Sequence, residues 1–455
     1  MKPLKLAEAA GLLGGQLHGA DPNALALGFA LDHREIRPGD LFLAIKGHRV
    51  DGHDFATAAY KAGAAASVVE REVIGPHIRV PNLVSALAHM AWTLRGRFLG
   101  PVVGVTGSAG KTITKEFVAA ALSQLGPVLK TEGNRNTEYT VPLLWAELDE
   151  TYRSVVVEMA MRGEGQIAHL ATLSRPTVGL VTNIGYAHID LVGSREGIAR
   201  AKAELLRALP GDGLAVLWQE DEFLGVLRER TKARVATFGE SSEADCRIES
   251  YRPLGWDRCA IGGVVDGQKW QTELRAVGRH IARDAAAAIL AAARLGVDAM
   301  AAAGALAGAD LPPMRMQIVP LNEATILLDA YNASPPSVIA AIETLAELPC
   351  SGRRLAVLGE MMELGDHSEA AHREVGRALA LHRLDRVLFV GPGADWAREE
   401  CLAAGIEAVR LPSASDHRDV TAFVAEAGPG DAVLVKGSRV LELERALEPL
   451  LRSTS

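Results

Sequence analysis

The stretch GVTGSAGKTITKE, residues 104–116, contains a glycine-rich turn between an apolar run and a helical pattern. The general P-loop spacing fails here by one position, because Val105 stands where its first glycine belongs. The flanking runs PVVGVT and KTITKEFVAAALSQL nevertheless predict a buried strand before the turn and an amphipathic helix after it. Backbone N–H groups and the helix dipole stabilise phosphate at such a helix N-terminus. We therefore predict a nucleotide-phosphate loop, with Lys111 on the terminal phosphates and Thr112 on a magnesium ion.

The composition is that of a globular protein without a dominant charge. Its 455 residues are more than one domain with a single hydrophobic core usually contains, so two to four domains are expected. The formal net charge of -8 gives no basic face, which argues against a nucleic-acid partner. The sequence shows no signal-peptide pattern or apolar run of membrane-spanning length, so we expect a cytoplasmic protein without a membrane span. The cysteines are Cys246, Cys259, Cys350 and Cys401. They lack CxxC spacing, so they indicate neither a disulfide framework nor a zinc site.

Apolar patterns divide the chain into three predicted α/β domains. Residues 1–96 mix short helices with the strand-like runs DLFLAI and AASVVE, which indicates a small N-terminal domain. Across residues 97–311, apolar runs of strand length alternate with helical patterns and predict a central domain with a parallel sheet covered by helices. In residues 312–455 four further strand-like runs are each followed by helical sequence, which predicts a doubly wound C-terminal domain.

Residues 106–112, TGSAGKT, resemble the T-G-[ST]-x-G-K-T loop of the Mur ligases, which build the peptide of bacterial peptidoglycan. Ala109 replaces the family's usual asparagine, and Ile113 stands where threonine or serine is common. The resemblance continues in order through segments 31–55, 133–145, 158–167, 182–205, 329–337, 357–376 and 433–439. It implies nucleotide contacts from Thr106, Gly107, Ser108, Ala109, Gly110, Lys111 and Thr112, and from Asn134 in the segment GNRNTEYTVPLLW.

The same resemblance implies a magnesium site. Glu158 ends the strand-like run SVVVE, where a carboxylate at the C-terminal edge of a parallel sheet can bind magnesium; a solvated strand-end glutamate or a helix N-cap is the alternative. In this family the histidine at the position of His188 joins a second metal site, although alone it would be an ordinary loop histidine. Lys202 matches the lysine that several Mur ligases carbamylate near the metals, with a helix-surface lysine as the alternative. Thr112 completes this expected set of ligands.

Contacts to the adenosine half of ATP are expected from two further segments. GRHIARDAAAA resembles the family's GRHNxxNAxAA, so His280 and Asp284 are expected near adenine, with an ionised Asp284 able only to accept hydrogen bonds. DAYNASPPS resembles DDxYNANP, which implies ribose and phosphate contacts from Asp329 and Asn332. Arg315 matches a family arginine near the hinge into the third domain, and an interdomain salt bridge is its alternative.

As a whole, the resemblance implies an ATP- and magnesium-dependent amide ligase that works through an acyl phosphate. Segment 31–55 looks like the family's nucleotide-sugar-binding segment, with His33 in place of the usual serine. The segments 158–167 and 357–376 look most like the family member that adds D-alanyl-D-alanine to UDP-N-acetylmuramoyl-tripeptide. We expect a monomer with these two substrates. A member that adds a single amino acid, or a regulatory P-loop ATPase, is the alternative, and the third residue of the tripeptide, diaminopimelate or lysine, stays open.

Overall fold

The computed structural model describes residues 1–47, 50–321, 323–382 and 384–452. The chain forms two compact units. The first unit comprises Met1–Gly104, Gly126–Ala160 and Gln166–Thr177, and the second comprises Val105–Leu125, Met161–Gly165 and Val178–Ser455. The predicted domain boundaries after residues 96 and 311 stay predictions. In the described part of the chain, no helix combines the length and apolar character needed to cross a membrane.

The N-terminal part of the first unit is a small sheet with helices packed on it. Its strands follow the order β2-β7-β6-β5-β4, in which only the β2–β7 pair is antiparallel. Leu41 and Val68 on central strands pack with Leu6 and Leu87 on helices in one apolar core. The elements are β1 Leu4–Lys5, α1 Leu6–Leu13, β2 Gln16–His18, β3 Leu25–Ala26, β4 Gly28–Ala30, β5 Asp40–Leu43, α2 Ala56–Lys61, β6 Ala66–Val69, β7 His77–Arg79 and α3 Leu83–Arg95.

The central part of the chain contains the strand–loop–helix predicted from residues 104–116. The five residues of β8 are all buried, as expected for a strand covered on both faces. The elements are β8 Val102–Thr106, α4 Lys111–Leu122, β9 Val128–Lys130, α5 Val141–Ala146, β10 Ser154–Glu158, α6 Gln166–Ser174, β11 Val178–Val181, α7 Ile189–Val192, α8 Arg195–Arg207, β12 Leu214–Trp218, α9 Leu224–Arg228, β13 Arg234–Gly239, β14 Cys246–Pro253, β15 Cys259–Val265, β16 Gln268–Leu274, α10 Arg279–Arg294 and α11 Ala299–Leu306.

Most strands in this part pair in parallel, as predicted, but its last strands pair in antiparallel fashion. In the first unit β9 and β10 are parallel, and in the second unit β11, β12, β13 and β14 are parallel neighbours. From β14 onward the pairing becomes antiparallel through β15 and β16. The β15–β16 turn is formed by Asp266 at φ 51° and Gly267 at φ 77°, the Asp-Gly type of hairpin turn. The continuous strand–helix alternation predicted for residues 97–311 is therefore wrong across residues 246–274.

The C-terminal part of the second unit is a doubly wound sheet, which confirms that prediction. Its strand order is β17-β18-β22-β19-β20-β21, with only the β17–β18 pair antiparallel. Buried Ile326, Val357 and Val433 on adjacent strands form its apolar centre. The elements are β17 Gln317–Leu321, β18 Ala324–Leu328, α12 Pro335–Glu347, β19 Arg354–Gly359, α13 Ser368–Leu381, β20 Arg386–Val390, α14 Ala394–Ala403, β21 Ser413–Ala414, α15 His417–Ala425, β22 Ala432–Lys436 and α16 Glu448–Arg452.

Candidate active site

The loop between β8 and α4 depends on glycine at two positions. Gly107 has φ 152°, and a Cβ atom there would lie 1.8 Å from the Thr182 hydroxyl oxygen. Gly110 precedes α4 with φ 79°, and its Cβ atom would lie 2.6 Å from Asp284 Oδ1. Both conformations disfavour other residues, and the close neighbours leave no room for a side chain. The loop therefore keeps a narrow path that leads directly into the N-terminus of α4.

Residues that follow β11 hold this loop in place. The Asn183 side chain accepts from the Ala109 N–H at 3.0 Å and donates to the Ala109 carbonyl at 3.1 Å. The Gly185 N–H donates to Ser108 Oγ at 2.8 Å. Because Ala109 is held through its backbone, these contacts do not require the family's usual asparagine side chain. The N–H groups at a helix N-terminus point away from the helix body, so the start of α4 has the orientation that phosphate binding needs.

Two lysines converge on one carbonyl oxygen of the loop. Lys111 Nζ donates to the Gly107 carbonyl at 2.9 Å, and Lys202 Nζ donates to the same oxygen at 3.0 Å. Lys202 is only 2% exposed, which rules out the helix-surface alternative. Burial, with a smaller contribution from the charge of Lys111, holds the pKa of Lys202 well below its usual value. Lys202 thus lies beside the phosphate loop as an amine with a reduced tendency to carry a proton.

The two threonines of the loop are buried. Thr106 is fully buried, and its hydroxyl oxygen has no hydrogen-bond partner among the residues that the structure describes. Its carbonyl accepts the Thr182 N–H at 2.9 Å, so its backbone links the loop to the segment after β11. Thr112, on the first turn of α4, is 4% exposed. Thr112 therefore has the helix position predicted for a magnesium ligand, whereas the side chain of Thr106 packs inside the protein.

Glu158 ends β10 in the first unit as a buried carboxylate. Its Oε1 accepts from Asn136 Nδ2 at 2.8 Å, and its N–H donates to the Thr131 hydroxyl at 3.0 Å. Its Oε2 is buried and has no hydrogen-bond partner in the described part of the chain. A buried anionic oxygen without a donor fits a hard cation such as magnesium, and it excludes the solvated-glutamate alternative. Asn134 is exposed, so Asn136 is the asparagine of this segment that contacts Glu158.

His188 lies at the start of α7 in a left-handed conformation, with φ 64°. Its Nδ1 is 2.7 Å from Glu363 Oε2, which comes from the segment after β19. Close to this pair, His367 Nε2 lies 3.1 Å from the Gly193 carbonyl oxygen. The contact has the distance of an ion pair, although His188 Nδ1 does not meet the geometry of a hydrogen bond among the described residues; a carboxylate beside one ring nitrogen is common for a histidine whose other nitrogen binds a metal. The pairing leaves Nε2 of His188 as the nitrogen available for a ligand.

The residues predicted near adenine are both desolvated. Burial lowers the pKa of His280 to about 4, although the Asp329 carboxylate acts in the opposite direction. Burial also raises the pKa of Asp284 to about 8. The expectation of an ionised Asp284 is therefore wrong, because the carboxyl group is largely protonated at neutral pH. A protonated carboxyl group both donates and accepts, as the family's asparagine does.

The protonation of Asp284 gives a prediction with a matched variant. An ionised Asp284 carboxylate would repel phosphate bound at Gly110, whereas the neutral carboxyl group would not. Near pH 7, Asp284→Asn should therefore bind ATP with the same affinity as the parent. At pH 9 the parent should bind ATP about tenfold more weakly than the variant, because most of its Asp284 is then ionised. Titrations of ATP at pH 7, 8 and 9 measure the affinity of both proteins.

The raised pKa should also make the parent's free energy of unfolding fall, relative to that of the variant, as pH rises from about 4 to about 8. Parallel pH curves for the two proteins would contradict the prediction.

In the C-terminal part, a buried ion pair involves one of the predicted ligands. Lys436 Nζ lies 2.6 Å from Asp329 Oδ2 and donates to the Asn332 carbonyl at 2.9 Å. Asp329 therefore balances a buried ammonium group, whatever else it contacts. The Asn332 side chain is exposed on the same turn and accepts the Ala333 N–H. Arg315 lies over the Tyr331 ring with its guanidinium carbon 4.1 Å from the centroid.

The N-terminal segment 31–55 is ordered by local carboxylate contacts. The Asp32 carboxylate accepts from both the backbone and the side chain of Arg34, and these bonds hold its pKa below the usual range. His33 stacks on Phe55 with ring centroids 4.3 Å apart, so the histidine is accommodated by an aromatic contact. His53 accepts the Glu70 N–H at Nε2 and contacts Asp51 through Nδ1. Residues 48 and 49 of this segment lie outside the described residues.

The second unit thus brings together most of the predicted nucleotide residues, while Glu158 and Asn134 belong to the first. Gly107 contacts Lys111 and Lys202, and Gly110 faces Asp284. Several residues that contact these groups carry no signal of their own in the sequence, namely Asn136, Thr182, Asn183, Glu363 and Lys436. All five lie inside the segments that carried the resemblance. Their roles depend on contacts distant in sequence, which no local pattern displays.

Comparison with known proteins assigns all three parts of the chain. Residues 28–94 match the family model described as Mur ligase family, catalytic domain. Residues 105–292 match the Mur ligase middle domain, and residues 314–439 match the Mur ligase, glutamate ligase domain. These matches follow the order of the three predicted domains.

Individual relatives cover nearly the whole chain. A protein of Synechocystis sp. named UDP-N-acetylmuramoyl-tripeptide--D-alanyl-D-alanine ligase is 38% identical over 92% of this chain and 91% of its own. The Escherichia coli protein of the same name is 35% identical over 86% of each chain. A crystal structure of MurF from Acinetobacter baumannii superimposes with a TM-score of 0.89 at 28% identity, covering 99% of both chains. MurF ligase from Thermotoga maritima in complex with ADP gives a TM-score of 0.81 at 31% identity, covering 94% of this chain and 99% of that one.

These matches agree with the site described above. A glycine-constrained loop leads into α4, two lysines share one loop carbonyl, and the chain has the three-domain α/β architecture of the matched structures. Relatives above 30% identity cover more than two thirds of the chain. The chain belongs to the Mur ligase family of ATP-dependent, amide-forming ligases.

Proposed function

We propose that this enzyme joins D-alanyl-D-alanine to UDP-N-acetylmuramoyl-tripeptide in peptidoglycan precursor synthesis. The observation that carries the proposal is the near full-length similarity to ligases named for that reaction, at up to 38% identity. The local sequence supports the same member, because segments 158–167 and 357–376 resemble it most. The cytoplasmic location and monomeric state remain predictions from the sequence.

The reaction needs an activated carboxylate, because a carboxylate itself is a poor acyl donor. The terminal carboxylate of the tripeptide attacks the γ-phosphorus of ATP, which gives ADP and an acyl phosphate. The amine of D-alanyl-D-alanine then attacks the acyl carbon, loses a proton and expels inorganic phosphate. The first step depends on alignment and neutralisation of the phosphoryl charge. Lys111 and the N–H groups at the start of α4 supply both, and exclusion of water protects the acyl phosphate.

We assign the metal ligands as Thr112, Glu158, His188 and Lys202. The unpartnered Glu158 Oε2 and the Glu363-oriented ring of His188 support this donor set. Bound magnesium would neutralise charge on the transferring phosphoryl group. Asn136 holds Glu158 through its other oxygen, and Glu363 lies within ion-pair distance of His188 Nδ1. These two neighbours act by positioning the ligands.

Lys202 is suited to carbamylation. A neutral amine attacks the carbon of CO₂ and releases one proton, which leaves an anionic carbamate on Nζ. Burial lowers the pKa of Lys202 and so favours the neutral amine that this step requires. The carbamate would convert a buried amine into a carboxylate-like metal ligand.

For the adenosine and phosphate parts of ATP we propose further contacts from residues of the second unit. His280 is neutral at physiological pH, and its buried Nδ1 has no hydrogen-bond partner among the described residues. Asp284 offers a protonated carboxyl group close to Gly110. Arg315, Asp329 and Asn332 stay the proposed contacts from the C-terminal part. Asn134 stays a proposed phosphate contact from the first unit.

A substrate panel tests the proposal. The purified chain with ATP, magnesium and UDP-N-acetylmuramoyl-tripeptide should ligate D-alanyl-D-alanine far faster than D-alanine, L-alanine, D-glutamate or L-lysine is ligated to any shorter precursor. Mass spectrometry should show a gain of two alanine residues, and phosphate should be released only when both substrates are present. A gain of one residue would instead indicate a different family member. Phosphate release without the amine would favour a regulatory ATPase.

A further inference from the structure

Three potential metal ligands meet in the N-terminal sheet, in a group that we call the β2–β7 cluster: His18, Glu72 and His77. His18 and His77 are direct partners in the antiparallel β2–β7 pair, and their rings stack with centroids 5.0 Å apart. Glu72 comes from the segment between β6 and β7, and its Oε2 lies 3.1 Å from His77 Nε2. One ligand atom from each side chain lies within 4.8 Å of the others. None of the three is among the residues proposed for ATP or magnesium.

The hydrogen-bond pattern of this cluster is incomplete. His77 Nδ1 lies 2.9 Å from the Gly75 carbonyl, and His77 Nε2 faces the Glu72 carboxylate, so both ring nitrogens face acceptors. A neutral imidazole has only one N–H group. In addition, His18 Nε2 is buried and has no hydrogen-bond partner in the part of the chain that the structure describes. Buried polar atoms normally have partners, so His18 Nε2 is an unexplained nitrogen, and a neutral His77 ring can donate to only one of its two acceptors.

We propose that His18, Glu72 and His77 bind a divalent transition metal, for which Zn²⁺ is the best chemical match. Two histidine nitrogens and one carboxylate oxygen form a set that Zn²⁺ accepts, with water at the fourth position. A bond from His77 Nδ1–H to the Gly75 carbonyl fixes the tautomer that directs the Nε2 lone pair toward the metal. Arg79 binds Glu72 through Oε1, which leaves Oε2 for the ion. Magnesium and calcium are excluded as occupants because they prefer sets of oxygen ligands.

The metal would stabilise the edge of the N-terminal sheet. β2 is an edge strand of only three residues. An ion shared by His18, Glu72 and His77 would tie β2 to β7 and to the segment that precedes β7. Binding to the folded chain alone raises the unfolding temperature by mass action. The site therefore has a structural role that is separate from the ligation chemistry.

The experiment uses the full chain with His188 replaced by alanine, so that this other candidate metal ligand does not contribute. After treatment with a chelator, and with magnesium in excess, Co²⁺ is added as a spectroscopic probe and Zn²⁺ as its competitor. One equivalent of Co²⁺ should give the visible absorption of a four-coordinate site, and Zn²⁺ should abolish it. Zn²⁺ should also raise the unfolding temperature by a few degrees.

In this His188→Ala background, a further His18→Gln or Glu72→Gln substitution should weaken Zn²⁺ binding about tenfold or more. Either substitution should also remove the rise in unfolding temperature that Zn²⁺ causes. The Glu72 side chain is 62% exposed, so Glu72→Gln should fold even if His18→Gln does not. His89→Gln, an exposed histidine on α3, is the matched control and should leave Zn²⁺ binding unchanged. Zn²⁺ affinity unchanged by Glu72→Gln would overturn the proposal. NMR signals of the His77 ring that do not change when excess Zn²⁺ is added would also overturn it.

Discussion

Lys111→Ala is expected to reduce ligation about 10²-fold or more, because the variant lacks the cation that offsets charge on the transferring phosphoryl group. In the structure Lys111 Nζ donates to the Gly107 carbonyl at 2.9 Å. ATP can replace this contact with contacts to phosphate oxygens, which are better acceptors because they are charged. The lysine therefore needs only a small shift from loop carbonyl to nucleotide.

The fold should survive this substitution. Asn183 and Gly185 hold the loop independently of Lys111, through Ala109 and Ser108. The measurement is the rate of product formation and of phosphate release at saturating substrates, with circular dichroism as a check of folding. Lys232→Ala removes an exposed lysine of the same unit and serves as the control. A Lys111→Ala enzyme with a ligation rate within threefold of the parent's would contradict the assignment of the loop as the site of phosphoryl transfer.

The sequence predicted the loop because all of its determinants are local. A buried strand, two glycines and a helix starting at Lys111 occupy adjacent positions, and each has a strong pattern of its own. The strands of the C-terminal sheet could also be predicted from local pattern, because their apolar runs are bounded by glycine or charged residues. Family resemblance then suggested the proposed roles of Glu158, His188 and Lys202, which no spacing rule could have suggested.

Contacts between distant segments explain what the sequence did not show. Asn183 contacts Ala109 across 74 positions, and Lys436 pairs with Asp329 across 107. The protonated state of Asp284 depends on burial, and burial is a property of the packed structure. The antiparallel hairpin at residues 259–274 differs, because its Asp266-Gly267 turn is a local signal from which the hairpin could have been predicted.

Lys202→Ala is the second substitution for which we expect a loss of roughly 10²-fold, the scale of losing one preorganised charge at a phosphoryl-transfer site. The reason differs from that for Lys111, since Lys202 is buried and its pKa is held well below normal. As a charged ammonium it would place a second cation against the Gly107 carbonyl that Lys111 already contacts. As a carbamate it would place an anion beside Lys111 and supply an oxygen ligand to magnesium.

Two measurements separate carbamylation from a simple structural role. Parent enzyme equilibrated with ¹³C-labelled bicarbonate should show a carbamate carbon signal by NMR, and Lys202→Ala should lack it. Formate should restore part of the activity of Lys202→Ala, because the cavity left by the side chain can admit a small carboxylate next to the metal. Lys202→Arg should remain inactive with formate, since its side chain fills the cavity and keeps its positive charge. Full activity of Lys202→Ala without formate, or a carbamate signal that persists in that variant, would contradict the role assigned to Lys202. Burial lowers the pKa of Lys202 and so raises the share of neutral amine, which is the form that reacts with CO₂, and the carbamate product has the charge that a metal ligand requires.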